Sequence, residues 1–242
     1  MTILGKLYLI PCTLSNPGET STNIADVLPH SIKRTIEFID DYIVENEKTA
    51  RRFIKSMNPE KVQATLKIST LNKHTEVPEH IIMLQACLEG KSIGLMSEAG
   101  CPGIADPGAV IVKLAHEKGI QVIPLVGPSS ILLALMASGM NGQSFTFNGY
   151  LPIDKNDKKI ALRNLEKISQ DKNQSQIFIE TPYRNNKMLE DILIAVNPST
   201  FLCIATDITL PTEYIKTKKA SEWKKEKIDL HNRPTIFILQ KM

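Results

Sequence analysis

Cysteine is scarce in this chain, four residues in 242, and Cys12, Cys87, Cys101 and Cys203 form no C-x-x-C pair. That spacing excludes a disulfide framework and the common zinc patterns. Of the five histidines, His74 and His80 stand six apart, the wrong interval for two ligands on one helical face, so no metal is expected. Strong charge of either sign is also missing. A formal net charge of +3 permits an anionic partner without demanding one. No signal peptide is read at the start, where residues 1–6 lead straight into an apolar run, and a reducing cytoplasm is the expected compartment.

Several familiar motifs are absent as well. There is no G-x-G-x-x-G, no G-x-x-x-x-G-K-[ST] and no G-x-S-x-G, which leaves dinucleotide, P-loop and hydrolase chemistry unsupported. An unbroken membrane-length apolar run is missing too. Residues 119–153 contain no Asp, Glu, Lys, Arg or His, but Pro124, Gly127-Pro128, Gly139 and Asn141-Gly142 interrupt them. A membrane span needs roughly 20 predominantly apolar residues. The stretch is therefore read as strand, turn, helix, turn and strand in the protein interior.

What is present describes a folded α/β chain. Apolar runs at residues 6–10 (KLYLI), 92–96 (SIGLM) and 120–126 (IQVIPLV) are bounded by Pro or Gly and read as buried strands. A weaker strand is expected within 38–45. Helices are expected over 49–57, from Pro78 to a stop at Gly90, and from Asp106-Pro107 to about Lys118. Strands alternating with helices imply βαβ units and a mainly parallel sheet. After Ile153 the charge density rises. Strands are then expected at 176–180, 201–206, 213–217 and 234–240, with helices near 186–196 and over a Lys-rich stretch, and with some antiparallel pairing. Two α/β domains are expected, residues 1–126 and 127–242.

Only twelve glycines occur, yet Gly94, Gly100, Gly103 and Gly108 fall within fifteen residues where a parallel strand ends and a helix begins. The loop 97–108 exceeds the two to six residues usual for a βα connection. Glycine tolerates positive φ and lets a ligand approach the backbone, and open α/β sheets bind ligands beyond the carboxyl ends of their strands. The loop is thus read as a ligand cradle.

Residues 97–108, 124–130 (PLVGPSS) and 147–152 (FNGYLP), together with 180–184 (ETPYR), resemble the tetrapyrrole (corrin/porphyrin) methylase superfamily. Within it they are most similar to the family of ribosomal RNA small subunit methyltransferase I, which methylates a ribose 2′-oxygen. The resemblance implies two α/β domains, the first mainly parallel and the second mixed, with S-adenosylmethionine in the cleft between them and commonly a homodimer. It implies a first loop (Pro11, Cys12, Asn16, Gly18) bordering the cleft, and a cofactor lining of Met96, Glu98, Gly100, Gly103 and Ile104. Ser129 and Ser130 would open a helix that receives the methionine carboxylate, and Leu151, Pro234 and Thr235 would flank the adenine.

The substrate side departs from the family pattern. A Glu-Asp-Thr-Arg run becomes Glu45-Asn46-Glu47-Lys48, and Ser-Pro-His-Arg becomes Thr181-Pro182-Tyr183-Arg184. Glu45, His74, Glu180 and Arg184, with Tyr183 and Asp207, are the candidate catalytic or substrate-side residues. The expected acceptor is RNA of the small ribosomal subunit. A small molecule such as a tetrapyrrole, or a non-catalytic S-adenosylmethionine-binding role, are the alternatives. Two lysine-rich runs, Lys155–Lys172 and Lys216–Lys227, read as solvated faces first and as phosphate contacts second.

Overall fold

Short apolar runs closed by Pro or Gly become the strands of two separate sheets in the computed structural model, which describes residues 3–15, 24–72 and 75–241. His74, Asn16 and Gly18 lie outside the described residues. The chain divides into two units, Met1–Ser129 and Ser130–Met242.

The first unit runs β1 (Lys6–Leu9), α1 (Ile24–Val27), α2 (His30–Phe38), β2 (Asp41–Val44), α3 (Glu47–Met57), β3 (Lys67–Thr70), α4 (Val77–Met83), α5 (Gln85–Leu88), β4 (Ile93–Met96), α6 (Ala109–Glu117) and β5 (Gln121–Pro124). Its sheet is entirely parallel, in the order β3-β2-β4-β1-β5. Alternate residues feed two cores. Tyr42, Val44 and Met96 pack with Ile32, Ile36, Phe53 and Ile54 on one face, while Ile43, Ile93 and Leu95 pack with Leu84, Ile111 and Ala115 on the other. Both faces are covered, which is why these strands read as apolar runs.

Local chemistry sets the helix starts. Asn46 caps α3 by accepting from the amides of Lys48 (3.0 Å) and Thr49 (3.3 Å). Glu79 reaches back to the amide of Glu76 (3.0 Å), closing a capping box in front of α4. Gly94 serves packing rather than ligand approach. A Cβ there would lie 2.8 Å from both Ile10 Cδ1 and Tyr42 Cδ1, so the glycine makes room for the buried Tyr42 ring.

The second unit runs α7 (Ser130–Ser138), β6 (Phe145–Tyr150), α8 (Lys155–Lys172), β7 (Ser175–Ile179), α9 (Asn185–Ala195), β8 (Phe201–Thr206), β9 (Tyr214–Lys219), α10 (Ala220–Trp223) and β10 (Thr235–Gln240). Its sheet, β6-β7-β10-β8-β9, is mixed: β6 and β7 pair parallel and the rest antiparallel. Phe178, Leu202, Ile204 and Phe237 form a core with Leu162, Met188 and Ile192 of α8 and α9. Asp154 caps α8 through the amides of Asn156 (2.8 Å) and Asp157 (3.0 Å), and Asn173 ends it at φ 47°.

Four expectations are corrected. The helix after the glycine loop begins at Ala109, not at Asp106-Pro107, because the Asp106 carboxylate turns back into the loop. The Lys-rich helix shrinks to one turn: β9 continues through Lys218 and Lys219, α10 spans only Ala220–Trp223, and Lys224, Lys225 and Lys227 lie beyond it. Lys158, assigned to a solvated face, is buried and bonds Asp191 at 3.3 Å, joining α8 to α9. The charge-free stretch 119–153 is interior only in part, as at Ile120, Ala134, Leu135 and Leu151. It supplies an edge strand to each sheet, β5 and β6, and Leu132, Met136, Tyr150 and Ile153 are exposed. No helix among the described residues is long and apolar enough to cross a membrane.

Candidate functional site

Strand order locates the first candidate site. From β1 the chain moves to β2 on one side, and from the adjacent β4 it moves to β5 on the other. Adjacent strands whose connections diverge form a switch point, and ligands of open parallel sheets bind at the carboxyl ends there. The segments leaving β1 and β4 are Pro11–Thr13 and the glycine loop. They are laced together: the Cys12 amide donates to Gly100 O at 2.9 Å, and the Gly100 amide donates to Thr13 O at 3.4 Å. The segment leaving β5 joins them. A Cβ on Gly127 would stand 2.2 Å from Pro11 Cβ, and the Cys101 thiol lies 3.5 Å from Pro128 O. Pro11, Met96, Gly100 and Gly103, singled out from sequence, therefore share one end of one sheet.

Asp106 shapes the loop, a role that sequence reasoning missed by assigning it to a helix cap. Its carboxylate accepts from the Gly103 amide (2.8 and 3.0 Å) and from the Gly108 amide (2.6 Å). Burial pushes its pKa up, against the lowering effect of the Gly108, Gly103 and Ile104 amides. The available signal was its placement between two glycines, a local side-chain-to-backbone pattern that competes with helix starts. Gly103 sits at φ +81°, and a Cβ on it would meet nothing within 4 Å. The loop thus presents an open, side-chain-free surface beside the half-exposed Ile104.

A cavity of about 470 Å³ adjoins this loop, lined by Glu45, Asn46, Asn72, Glu98, Ala105 and Asp106 among others. That is within the usual size of a small-molecule site. Glu45 Oε1 accepts from the Glu98 amide at 2.9 Å, and the Glu98 carboxylate accepts from Thr49 Oγ1 at 3.3 Å. Burial raises the Glu45 pKa, the Glu98 amide lowers it, and the Asp106 and Glu98 charges raise it further. The Cys12 thiol is buried, and burial together with Glu45 and Glu98 holds it protonated. It is packing, not a nucleophile. Among the described residues no cluster of His, Cys, Asp and Glu suits a metal.

The second unit gathers the other candidates at one end of its sheet. Tyr150 pairs with Ile179 across β6 and β7, and Ile236 pairs with Ile179 across β7 and β10. Leu151, Glu180 and Thr235 are thus neighbours in register. Glu180 is 5% exposed, and its Oε1 accepts from Arg184 Nη2 (2.7 Å) and from the Thr181 amide (2.7 Å). Burial works against its ionisation, but the Arg184 and Thr181 hydrogen bonds outweigh burial and hold its pKa below the usual value. Asp207, on a backbone at φ 52°, accepts from Arg233 Nε (2.8 Å) and Thr212 Oγ1 (2.8 Å), so its carboxylate fastens a loop. Leu151 is core, Pro234 is exposed, and the buried Thr235 hydroxyl bonds Thr206 Oγ1 at 3.0 Å.

Comparison with known proteins agrees with this architecture. The family model of tetrapyrrole (corrin/porphyrin) methylases matches residues 25–223. Ribosomal RNA small subunit methyltransferase I of Vibrio cholerae is 30% identical over 89% of this chain and 69% of its own length. The protein of the same name from Buchnera aphidicola subsp. Schizaphis graminum is 29% identical over 97% of this chain and 78% of its own. Among solved structures, diphthine synthase superposes with a TM-score of 0.69 at 12% identity, covering 98% of this chain and 90% of that one. The uroporphyrin-III C-methyl transferase of Thermus thermophilus, solved with S-adenyl homocysteine, gives 0.56 at 16% identity, covering 98% of both chains. The chain belongs to the tetrapyrrole methylase family, in the branch of ribosomal RNA small subunit methyltransferase I, and is an S-adenosylmethionine-dependent methyltransferase.

Proposed function

We propose that this enzyme methylates a ribose 2′-hydroxyl of small-subunit ribosomal RNA, in the cytoplasm and as a homodimer. The observation that carries the acceptor is the 30% identity, over 89% of the chain, to a protein named for that RNA.

Bound S-adenosylmethionine supplies an electrophilic methyl group on a sulfonium. In the first unit the residues fit such a group. The Gly103 surface is open, Pro11, Met96, Gly100, Ile104 and Ser129 border the same end of the sheet, and the carboxylates of Glu45 and Glu98 complement a positive charge. Glu45 is the proposed general base. A carboxylate whose pKa is raised toward the working pH accepts a hydroxyl proton more effectively than an ordinary one. Glu180 is poorly suited to that task, since Arg184 and Thr181 already occupy its Oε1 and lower its pKa.

The test is transfer of labelled methyl from S-adenosylmethionine to small ribosomal subunits from a strain lacking this gene. Label is expected in the RNA and resistant to alkaline cleavage at one nucleotide. Intact cofactor binding without label in RNA would turn the reading toward a small-molecule acceptor or a non-catalytic role.

The dimer reading rests on α7. This nine-residue helix carries no charge, packs one side on β8, β9 and β10, and leaves Leu132 51% and Met136 78% exposed. Two apolar side chains one helical turn apart and both exposed support a contact face there. Leu132→Lys combined with Met136→Glu is expected to sediment as a monomer at concentrations where the natural chain is a dimer. A monomeric natural chain at tens of micromolar, or an undisturbed dimer in the double variant, would refute it.

A further inference from the structure

The second unit carries two aromatic rings that its core does not use. Tyr150 and Tyr183 are each 60% exposed, although large apolar surface is normally withdrawn from water. Arg184, on the turn that follows β7, lies within electrostatic range of both. Its guanidinium carbon lies 5.2 Å from the centre of the Tyr183 ring, and Tyr150 closes β6 opposite Ile179, one residue before Glu180. The guanidinium is held from below by Glu180, 5% exposed, through a 2.7 Å bond from Nη2 to Oε1.

That ion pair is incomplete. Glu180 Oε2 and Arg184 Nε are both buried and unpaired among the described residues, and so is Asn185 Oδ1. Oε2 and Nε are the two halves of the second bond in a side-on guanidinium–carboxylate fork. A purely structural pair at this depth is expected to close both bonds. This one holds the guanidinium by a single bond, from Nη2 to Oε1.

The lysine runs lack these features. Trp223, the ring that accompanies the second run, is 1% exposed, and Lys218 lies 5.7 Å from its centre while pairing with Glu226. Lys158 of the first run is buried against Asp191. Cation and exposed ring coincide at the β6–β7 end of the sheet instead. Flat rings beside a guanidinium plane are the chemistry by which proteins hold splayed, unstacked bases; paired helices are held through phosphates and 2′-hydroxyls.

We infer that Tyr150, Tyr183 and Arg184 form a stacking platform for an unpaired base of the RNA substrate, with Glu180 as the positioning residue that orients Arg184. The inference rests on the RNA reading above and narrows it to single-stranded or extruded nucleotides.

The test compares binding of a fluorescent, unstructured 20-nucleotide RNA with binding of a fully paired duplex of equal length. Tyr183→Ala and Tyr150→Ala are each expected to weaken single-strand binding about tenfold or more, as loss of a stacking ring does. Tyr183→Phe and Tyr150→Phe keep the ring and are expected to stay within about threefold. Duplex affinity and S-adenosylmethionine affinity are expected to be unchanged in all four, and KM for subunits to rise with kcat nearly constant. Alanine variants that bind the single strand normally would overturn the platform, as would phenylalanine variants that lose as much as alanine, or equal losses on duplex. A natural chain that binds neither RNA would instead remove the RNA reading itself, so the two failures are distinguishable.

Discussion

Gly103→Val is expected to abolish S-adenosylmethionine binding while the protein stays folded. Two effects of the substitution must be separated. Gly103 has φ +81°, so any side chain there is strained, and a β-branched one most of all. That strain costs about 1–2 kcal/mol, a fraction of the 5–15 kcal/mol by which domains are stable. The second effect is volume. A Cβ at Gly103 meets nothing of the protein within 4 Å, so the added methyl groups project into free space at the carboxyl end of β4. If the donor occupies that space, the valine displaces it.

Gly119 supplies the matched control. It has φ +71°, also with nothing within 4 Å of its Cβ position, and it precedes β5 at the amino end of the same parallel sheet. Gly119→Val imposes like strain away from the loop. Both variants are expected to lower Tm by about 2–8 °C, from strain of this size in a chain of this length. Calorimetric titration should then show no cofactor binding for Gly103→Val and natural affinity for Gly119→Val. A folded Gly103→Val protein that binds normally would take this loop out of the site.

How far such a site is legible before folding depends on what each residue answers to. The runs 6–10 and 92–96 were readable as strands because helices cover both faces of a parallel sheet, and burial on both faces leaves an uninterrupted apolar run. β3, at the sheet edge with the sequence KIST, carries no such run and went unread. Asp106 misled for a physical reason. Asp before Pro is a good helix start locally, but flanking glycines let the backbone fold around its carboxylate, and the loop's own amides won.

The charge-free stretch 119–153 exposes a different limit. Apolar composition reports that a surface avoids water, and not whether its own fold or another molecule covers it. Leu132 and Met136 belong to that stretch and are nevertheless exposed. The glycine loop was legible as a ligand cradle from residue type and spacing, whereas Pro11 and the segment at Gly127 were singled out only through the family resemblance. The base-holding end was not, because Tyr150, Glu180, Arg184 and Thr235 come together only through the pairing of β6, β7 and β10. Sequence spacing is silent about strand order.

The second large effect is expected at Glu45, where activity and stability should move in opposite directions. A proton-accepting side chain contributes roughly 10²- to 10⁴-fold to rate, so Glu45→Gln is expected to lower kcat by at least about a hundredfold. The amide oxygen of Gln can still accept from the Glu98 amide, which preserves the 2.9 Å bond and the shape of the cavity. Cofactor affinity should change little. In the natural enzyme burial raises the Glu45 pKa, with the Asp106 and Glu98 charges adding to it. The rate should therefore fall as pH drops through that raised value, and the Gln variant should lose this limb of the profile.

The sign for stability is the reverse of an ordinary carboxylate. A carboxyl whose pKa is higher folded than unfolded takes up protons on folding, so its ionisation opposes folding above the folded pKa, and this penalty fades as pH falls. Removing the charge removes the penalty. Glu45→Gln should be at least as heat-stable as the natural chain at pH 8, with the difference shrinking toward pH 5. Retention of kcat within threefold would eliminate Glu45 as the base. A Tm several degrees lower at pH 8 would show that the carboxylate stabilises the fold, and would overturn the balance of burial and charge assigned to it.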